Sequence, residues 1–132
     1  MSLLYVVRSK KNPQVKDAPV KYYLQAKIRG HRMHKDVLKA AAKNTTLNER
    51  EMDMAISAWF EEVISSLEDG FSVDVVDLGT FSLSIKSEGA DSEAEATAAK
   101  KSAINLVYRE KPIIREQINR ISLEKFNPEG TL

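Results

Sequence analysis

The sequence contains no cysteine. That excludes disulfides, thiolate zinc sites and a thiol nucleophile, and it permits a cytosolic address without requiring one. No apolar run approaches the roughly 18–20 residues that a membrane span needs. The opening Met-Ser-Leu-Leu-Tyr-Val-Val-Arg has neither a basic leader nor a long apolar stretch, so it reads as a strand rather than a signal peptide. Catalytic signatures are missing as well: there is no G-x-S-x-G, no P-loop and no H-E-x-x-H. The two histidines, His31 and His34, could offer two metal ligands from one helix, but no further His or Cys completes a site. No enzyme activity, cofactor, metal or small-molecule substrate is expected.

What is present suits one folded domain. The chain has 132 residues, of which 42% are hydrophobic and 30% charged. That is enough apolar material for a core and too much for a disordered chain. The formal net charge of +1 hides a strong asymmetry. Residues 1–43 carry 11 Lys/Arg against 2 Asp/Glu, a balance of +9. Residues 44–99 carry 2 against 13, a balance of −11, and residues 100–132 carry 7 against 4, a balance of +3. A basic first third suggests a polyanion-binding surface. The competing account is that both charge sets are solvated faces that neutralise each other.

Periodicity supplies the elements. Residues 3–9 are β-prone. Over residues 20–29, Val20, Tyr22, Leu24, Ala26 and Ile28 alternate with Lys21, Tyr23, Gln25, Lys27 and Arg29. That pattern predicts a half-buried strand with a basic outer face. The polar segment between them, with Pro13 and Pro19, reads as a hairpin tip. A short helix is predicted over 34–43, with Val37, Leu38 and Ala41 inward. A long one follows, on which Met52, Ala55, Ile56, Trp59, Phe60, Val63, Ile64 and Leu67 share one stripe. Asn48 and Glu51 fit a capping box, Leu47 can staple to Met52, and Gly70 ends the helix. Some 22 residues at about 1.5 Å each give ~33 Å, long for so small a domain, and a wide stripe on such a helix invites a partner chain.

Strands follow at Phe71–Val75, Thr80–Ile85 and 103–109, with a bend at Leu78-Gly79. Pro112 suits the first position of a short helix with Ile114, Ile118 and Ile121 inward, and residues 121–126 form a last strand. Residues 87–99 hold four acids and no base, which predicts a loop or ribbon tip. Trp59 and Phe60 read as core or dimer-interface residues, and Asp74, Asp77, Glu61 and Glu62 as solvated acids. Tyr23, among Lys21, Lys27 and Arg29, could stack on a base or sugar, or simply be an exposed strand tyrosine.

The run Glu68-Asp69-Gly70-Phe71-Ser72-Val73-Asp74-Val75-Val76-Asp77-Leu78-Gly79-Thr80-Phe81 resembles the Gly-x-x-Val-x-Leu-x-x-Phe-Gly-Thr-Phe signature of the HU/IHF family of bacterial histone-like DNA-binding proteins. Leu47-Asn48 and the long amphipathic helix resemble that family's second helix, and the likeness covers about residues 34–121. The N-terminal ribbon resembles the extension of HU-like proteins from Bacteroidetes. The resemblance implies an α+β fold: two N-terminal helices, a three-stranded antiparallel sheet with a β-ribbon arm, a short C-terminal helix, and here an extra N-terminal β-hairpin. It implies a single domain over 1–132, with a ribbon at 1–30, an HU-like core at 31–126 and a tail at 127–132. It further implies an intertwined homodimer in the cytoplasmic nucleoid whose arms enter the minor groove of duplex DNA, a Pro at each tip wedging between base steps.

The arm expected near residues 86–101 departs from this pattern. Its tip bears Glu88, Asp91, Glu93 and Glu95, and only Lys86, Lys100 and Lys101 at its base suit phosphate. Lys11-Asn12-Pro13-Gln14 in the N-terminal ribbon instead resembles the family's Arg-Asn-Pro-Gln arm tip, with Pro13 as wedge or as plain turn former. The expected DNA-contacting residues are Lys10, Lys11, Pro13, Lys16, Lys21, Lys27, Arg29, Lys86, Lys100, Lys101 and Arg109. The alternative is an interaction module that has kept the dimer fold and lost DNA bending, with the acidic segment 88–95 facing a partner.

Overall fold

A computed structural model describes residues 2–129. In chain order the elements are β1 (Leu3–Lys10), β2 (Lys21–Ala26), α1 (His34–Ala42), α2 (Glu49–Glu68), β3 (Val73–Val75), β4 (Gly79–Ser87), a 3-10 turn (Ala98–Lys100), β5 (Lys101–Glu110), α3 (Pro112–Asn119) and β6 (Leu123–Lys125). The fold is mixed α+β, with three helices and two three-stranded sheets. The chain divides into two compact units, residues 34–117 and the two ends, 1–33 with 118–132. Of the expected ribbon and tail, Met1 and residues 130–132 lie outside the described residues.

The terminal unit is a sheet of order β2-β1-β6. β1 and β2 pair antiparallel from Tyr5 opposite Ala26 to Lys10 opposite Lys21. The ribbon gains a third strand, because β6 pairs parallel to β1, with Leu3 beside Leu123 and Tyr5 beside Lys125. The seam is extended by Leu3 N–H donating to Ser122 O at 2.9 Å and Phe126 N–H to Tyr5 O at 2.8 Å. Alternation sorts the side chains as the pleat requires. Leu3, Tyr5, Val7, Tyr22, Leu24 and Leu123 share one face with Lys125; Arg8, Lys10, Lys21, Tyr23, Gln25 and Glu124 share the other with Leu4 and Val6. The expected half-burial of β2 is not found: all six of its positions are exposed, Tyr22 at 72% and Leu24 at 60%. The alternation is correct, but no second layer among the described residues covers the apolar face.

In the other unit, α2 starts as its sequence predicts. Asn48 Oδ1 accepts from Glu51 N–H at 2.8 Å, satisfying one of the donors that every helix start leaves over. It ends at Gly70, whose φ of +91° is cheap only for glycine. There Gly70 N–H donates to Leu67 O and Phe71 N–H to Ser66 O, the paired bonds of a Schellman cap. Among the stripe residues, Leu67 is buried and Met52, Ile56 and Val63 are half-buried. Ala55, Trp59, Phe60 and Ile64 remain exposed, because one short helix and a three-stranded sheet cover only one side of a 20-residue helix. On α1 the inward residues are Leu38, Ala41 and Ala42; Val37, expected inward, is exposed. Phe71 likewise lies outside the strand and exposed, as do Ile118 and Ile121.

The sheet β3-β4-β5 is antiparallel throughout. β4 and β5 pair from Gly79 opposite Glu110 to Ser87 opposite Lys101, with a bulge at Lys86/Ser87. Phe81 and Tyr108 face each other at 5.1 Å between ring centroids, and the Tyr108 hydroxyl donates to Leu78 O at 2.9 Å. Gly79 makes this contact possible. A Cβ there would overlap the Arg109 carbonyl oxygen and stand 2.5 Å from Tyr108 Cε1.

The expectation that Asp74 is merely solvated is corrected. Its Oδ1 accepts from Thr80 Oγ1 at 2.7 Å and its Oδ2 from Lys111 Nζ at 3.0 Å. The Thr80 bond first, then the Lys111 bond and charge, hold its carboxyl below the ordinary 3.8. The clamp ties β3 to β4 and to Lys111, the residue before Pro112 opens α3.

Two predictions follow from this packing. Gly79→Ala should lower stability by about 1–3 kcal/mol, since backbone must move to admit the methyl group; an unshifted urea midpoint would contradict the contact. Asp74→Asn should lower the urea midpoint at neutral pH. A depressed folded-state pKa contributes stability above the unfolded value and loses it as pH falls through the folded one. The gap between variant and wild type should therefore close below about pH 3–4; a gap that stays constant with pH would count against the clamp.

Candidate nucleic-acid interface

Within the terminal unit, pairing gathers several of the predicted cations on one face. Lys10 and Lys21 stand directly opposite each other, and Tyr23 stands opposite Arg8. Lys10 Nζ lies over the Tyr23 ring at 5.9 Å, and Lys27 Nζ over the Phe126 ring at 5.2 Å. Arg8 Nε donates to Gln25 Oε1 at 3.3 Å. The sequence reasoning missed Arg8 and Phe126. Alternation within β1 places Arg8 beside Lys10, a signal available in the sequence; the position of Phe126 depends on β6 returning to β1. Arg29 is drawn to the end of this sheet, its Nη2 donating to Ser2 O at 3.2 Å.

Lys11, Pro13 and Lys16 lie in the exposed loop 11–20. Pro13 occupies the second position of a turn in which Val15 N–H donates to Asn12 O at 3.3 Å and Gln14 N–H to Asn12 Oδ1 at 3.0 Å. Proline's fixed φ suits that position, and the asparagine side chain substitutes for a backbone turn partner.

In the other unit the cations are spread out. Lys86 pairs across from Ala103, and Arg109 from Thr80, six residues away along β4. At about 3.3 Å per residue they stand ~20 Å apart. Between them the same face carries Ser82, Ser84 and Asn105, short hydrogen-bonding groups, together with Val107 opposite Ser82. The alternation of Thr80, Ser82 and Ser84 is visible in the sequence, but the sequence does not show that Asn105 joins them. Lys100 and Lys101 sit where the arm closes, with Glu88 N–H donating to Lys100 O at 2.9 Å. Beyond that bond the acidic segment folds into successive turns, with Glu95 N–H donating to Ser92 O, Ala96 N–H to Glu93 O and Thr97 N–H to Glu95 O.

An uncharged groove of about 150 Å³ lies between α2 and the sheet, walled by Trp59, Phe60, Ile64, Val75, Phe81 and Leu106 among others. His34, considered as a metal ligand, instead stands 3.5 Å from Asp53 Oδ1 and links α1 to α2. Among the described residues no three metal-ligating side chains converge, and no helix is long and apolar enough to cross a membrane.

Comparison with known proteins agrees with this architecture. The comparison with curated proteins returns no match. Among solved structures, the chain superposes on a crystal structure described as "a Putative bacterial DNA binding protein from Bacteroides vulgatus ATCC 8482", with a TM-score of 0.66 at 19% identity. The match covers 98% of this chain and 51% of the other, so this chain spans about half the length of that one. A family model described as an HU domain fused to wHTH, Ig, or glycine-rich motif matches residues 1–125. The Gly70–Phe81 signature, the capped α2 above its sheet and that match together make this chain a member of the HU-HIG family of HU-like domains.

Proposed function

We propose that the chain is a non-enzymatic DNA-binding protein, largely tolerant of sequence, that acts in nucleoid architecture as a homodimer in the bacterial cytoplasm. The observation that carries this reading is the β1–β2 face, where Arg8, Lys10 and Lys21 gather, Lys27 follows farther along, and Glu124 is the one carboxylate on that face among the described residues. Phosphate contacts of this kind position a protein on DNA without reading bases. Lys11, Lys16, Arg29, Lys86, Lys100, Lys101 and Arg109 add further phosphate contacts, and Pro13 serves as wedge at the loop tip. Membership of an HU-like family and the name of the structural neighbour support the same reading.

Dimerisation rests on a separate observation. Among the described apolar residues only Ala42 and Leu67 are buried, while Trp59, Phe60 and Ile64 stand exposed beside the α2 groove. A second copy of α2 would remove this surface from water at about 25 cal/mol per Å².

A labelled duplex titrated at two salt concentrations tests the reading. The logarithm of affinity should fall with the logarithm of salt at about −0.9 per phosphate contacted. Lys10→Gln with Lys21→Gln should flatten that slope by about 2 and weaken all sequences alike. Trp59→Glu should give a monomer by sedimentation; a dimer that survives would reject the proposed interface. Absence of duplex binding even at low salt would reject the DNA reading and favour a protein partner for the acidic segment 88–95.

A further inference from the structure

Resting on the nucleic-acid reading above, we propose that the β1–β2 face is a single-strand platform: Tyr23 stacks an unpaired base while the surrounding cations hold its phosphates. Tyr23 is the third residue of the six-residue strand β2 and lies in the plane of the sheet, not at a loop tip. A ring so placed cannot stack on a base of an intact duplex, whose bases are already stacked on one another. It can reach a base that is unpaired.

The neighbours of the ring fit such a ligand. Tyr23 is 49% exposed, so part of its surface is free to receive a base. Lys21 and Gln25 flank it at i−2 and i+2, about 6.6 Å away along the strand, and Arg8 stands opposite. The Lys10 ammonium lies 5.9 Å from the ring centroid. A nucleotide presents the same pair of groups, an anionic phosphate and a flat base, on one sugar. When phosphate draws Lys10 aside, the ring face beneath it opens to the base. Farther along, Lys27 over Phe126 repeats the combination of cation and ring at 5.2 Å. Among the described residues Glu124 is the one carboxylate on the face; it opposes phosphate near Leu4, away from Tyr23. Cations that track a backbone, interleaved with aromatic rings, are how single strands are held without regard to sequence.

The opposite face of the same strand supplies an internal control. Tyr22 is adjacent in sequence and 72% exposed, but projects to the apolar side with Leu24. The experiment is fluorescence anisotropy on the full chain with labelled 12-mers of dT and of U and a duplex of equal length. Wild type, Tyr23→Ala, Tyr23→Phe and Tyr22→Ala are compared, each checked by circular dichroism. Tyr23→Ala should weaken both single strands by about tenfold, the loss of one stacked base, and leave the duplex within about twofold. Tyr23→Phe should retain binding, since the ring and not the hydroxyl carries it, and Tyr22→Ala should match wild type.

Equal losses for Tyr22→Ala and Tyr23→Ala, or equal losses on duplex and single strand, overturn the platform. Duplex binding with no single-strand binding overturns it too and leaves the DNA reading standing. No binding to any of the three probes overturns both. A loss on Tyr23→Ala that is equal for dT and U supports recognition of phosphate and base; no loss on either strand overturns the platform.

Discussion

The exposed half of the α2 stripe constrains everything built around it. In a 20-residue helix, eight apolar positions on one stripe make that stripe too wide for the three-stranded sheet and the nine-residue helix beside it. Met52, Ile56, Val63 and Leu67 are used within the chain; Trp59, Phe60 and Ile64 are not. Folding stability is a small difference between large terms, so a chain in which only Ala42 and Leu67 are buried among the described apolar residues has little in reserve. The proposed second copy would supply the missing layer and couple folding to association. Concentration would then set apparent stability, as it does for obligate dimers.

The two sheets arrange their cations differently. The β1–β2 face concentrates cations and rings on paired strands, where backbone bonds fix their spacing. The β4–β5 face spaces Lys86 and Arg109 far apart, with Ser82, Ser84, Asn105 and Val107 between them. The first arrangement favours charge and stacking, the second shape and hydrogen bonding. The acidic turn at 88–97 keeps the end of the second sheet from presenting a basic tip.

Local chemistry was readable in the sequence and long-range pairing was not. The Asn48 cap, the Gly70 terminus, the alternation in β2 and Pro112 at the head of α3 each depend on residues within a few positions of one another. The same alternation could not say whether the apolar side of β2 is covered, since burial depends on a layer drawn from elsewhere. Val37 shows the limit on a finer scale: its spacing fits the inner face of α1, but Ala42 at the last turn takes the buried place. Asp74 looked solvated because its partner Lys111 is 37 residues away. Of the candidate site, the basic character of residues 10–29 was legible. That Arg8 and Phe126 belong to the same face followed only once β1 was seen between β2 and β6.

The pairing of Leu3 with Leu123 makes the order of synthesis matter. A ribosome completes β1 and β2 long before β6 emerges. Throughout that interval the outer edge of β1 has free backbone donors and acceptors, beside an apolar face, in a crowded cell. Unpaired strand edges of this kind are templates for association with other chains. Closing the edge requires contact across 120 residues, the slow class of folding event, because loop-closure entropy is lost before any pairing compensates it. The strand made later thus protects the strand made earlier, and the β2-β1-β6 sheet is complete only once β6 has been made.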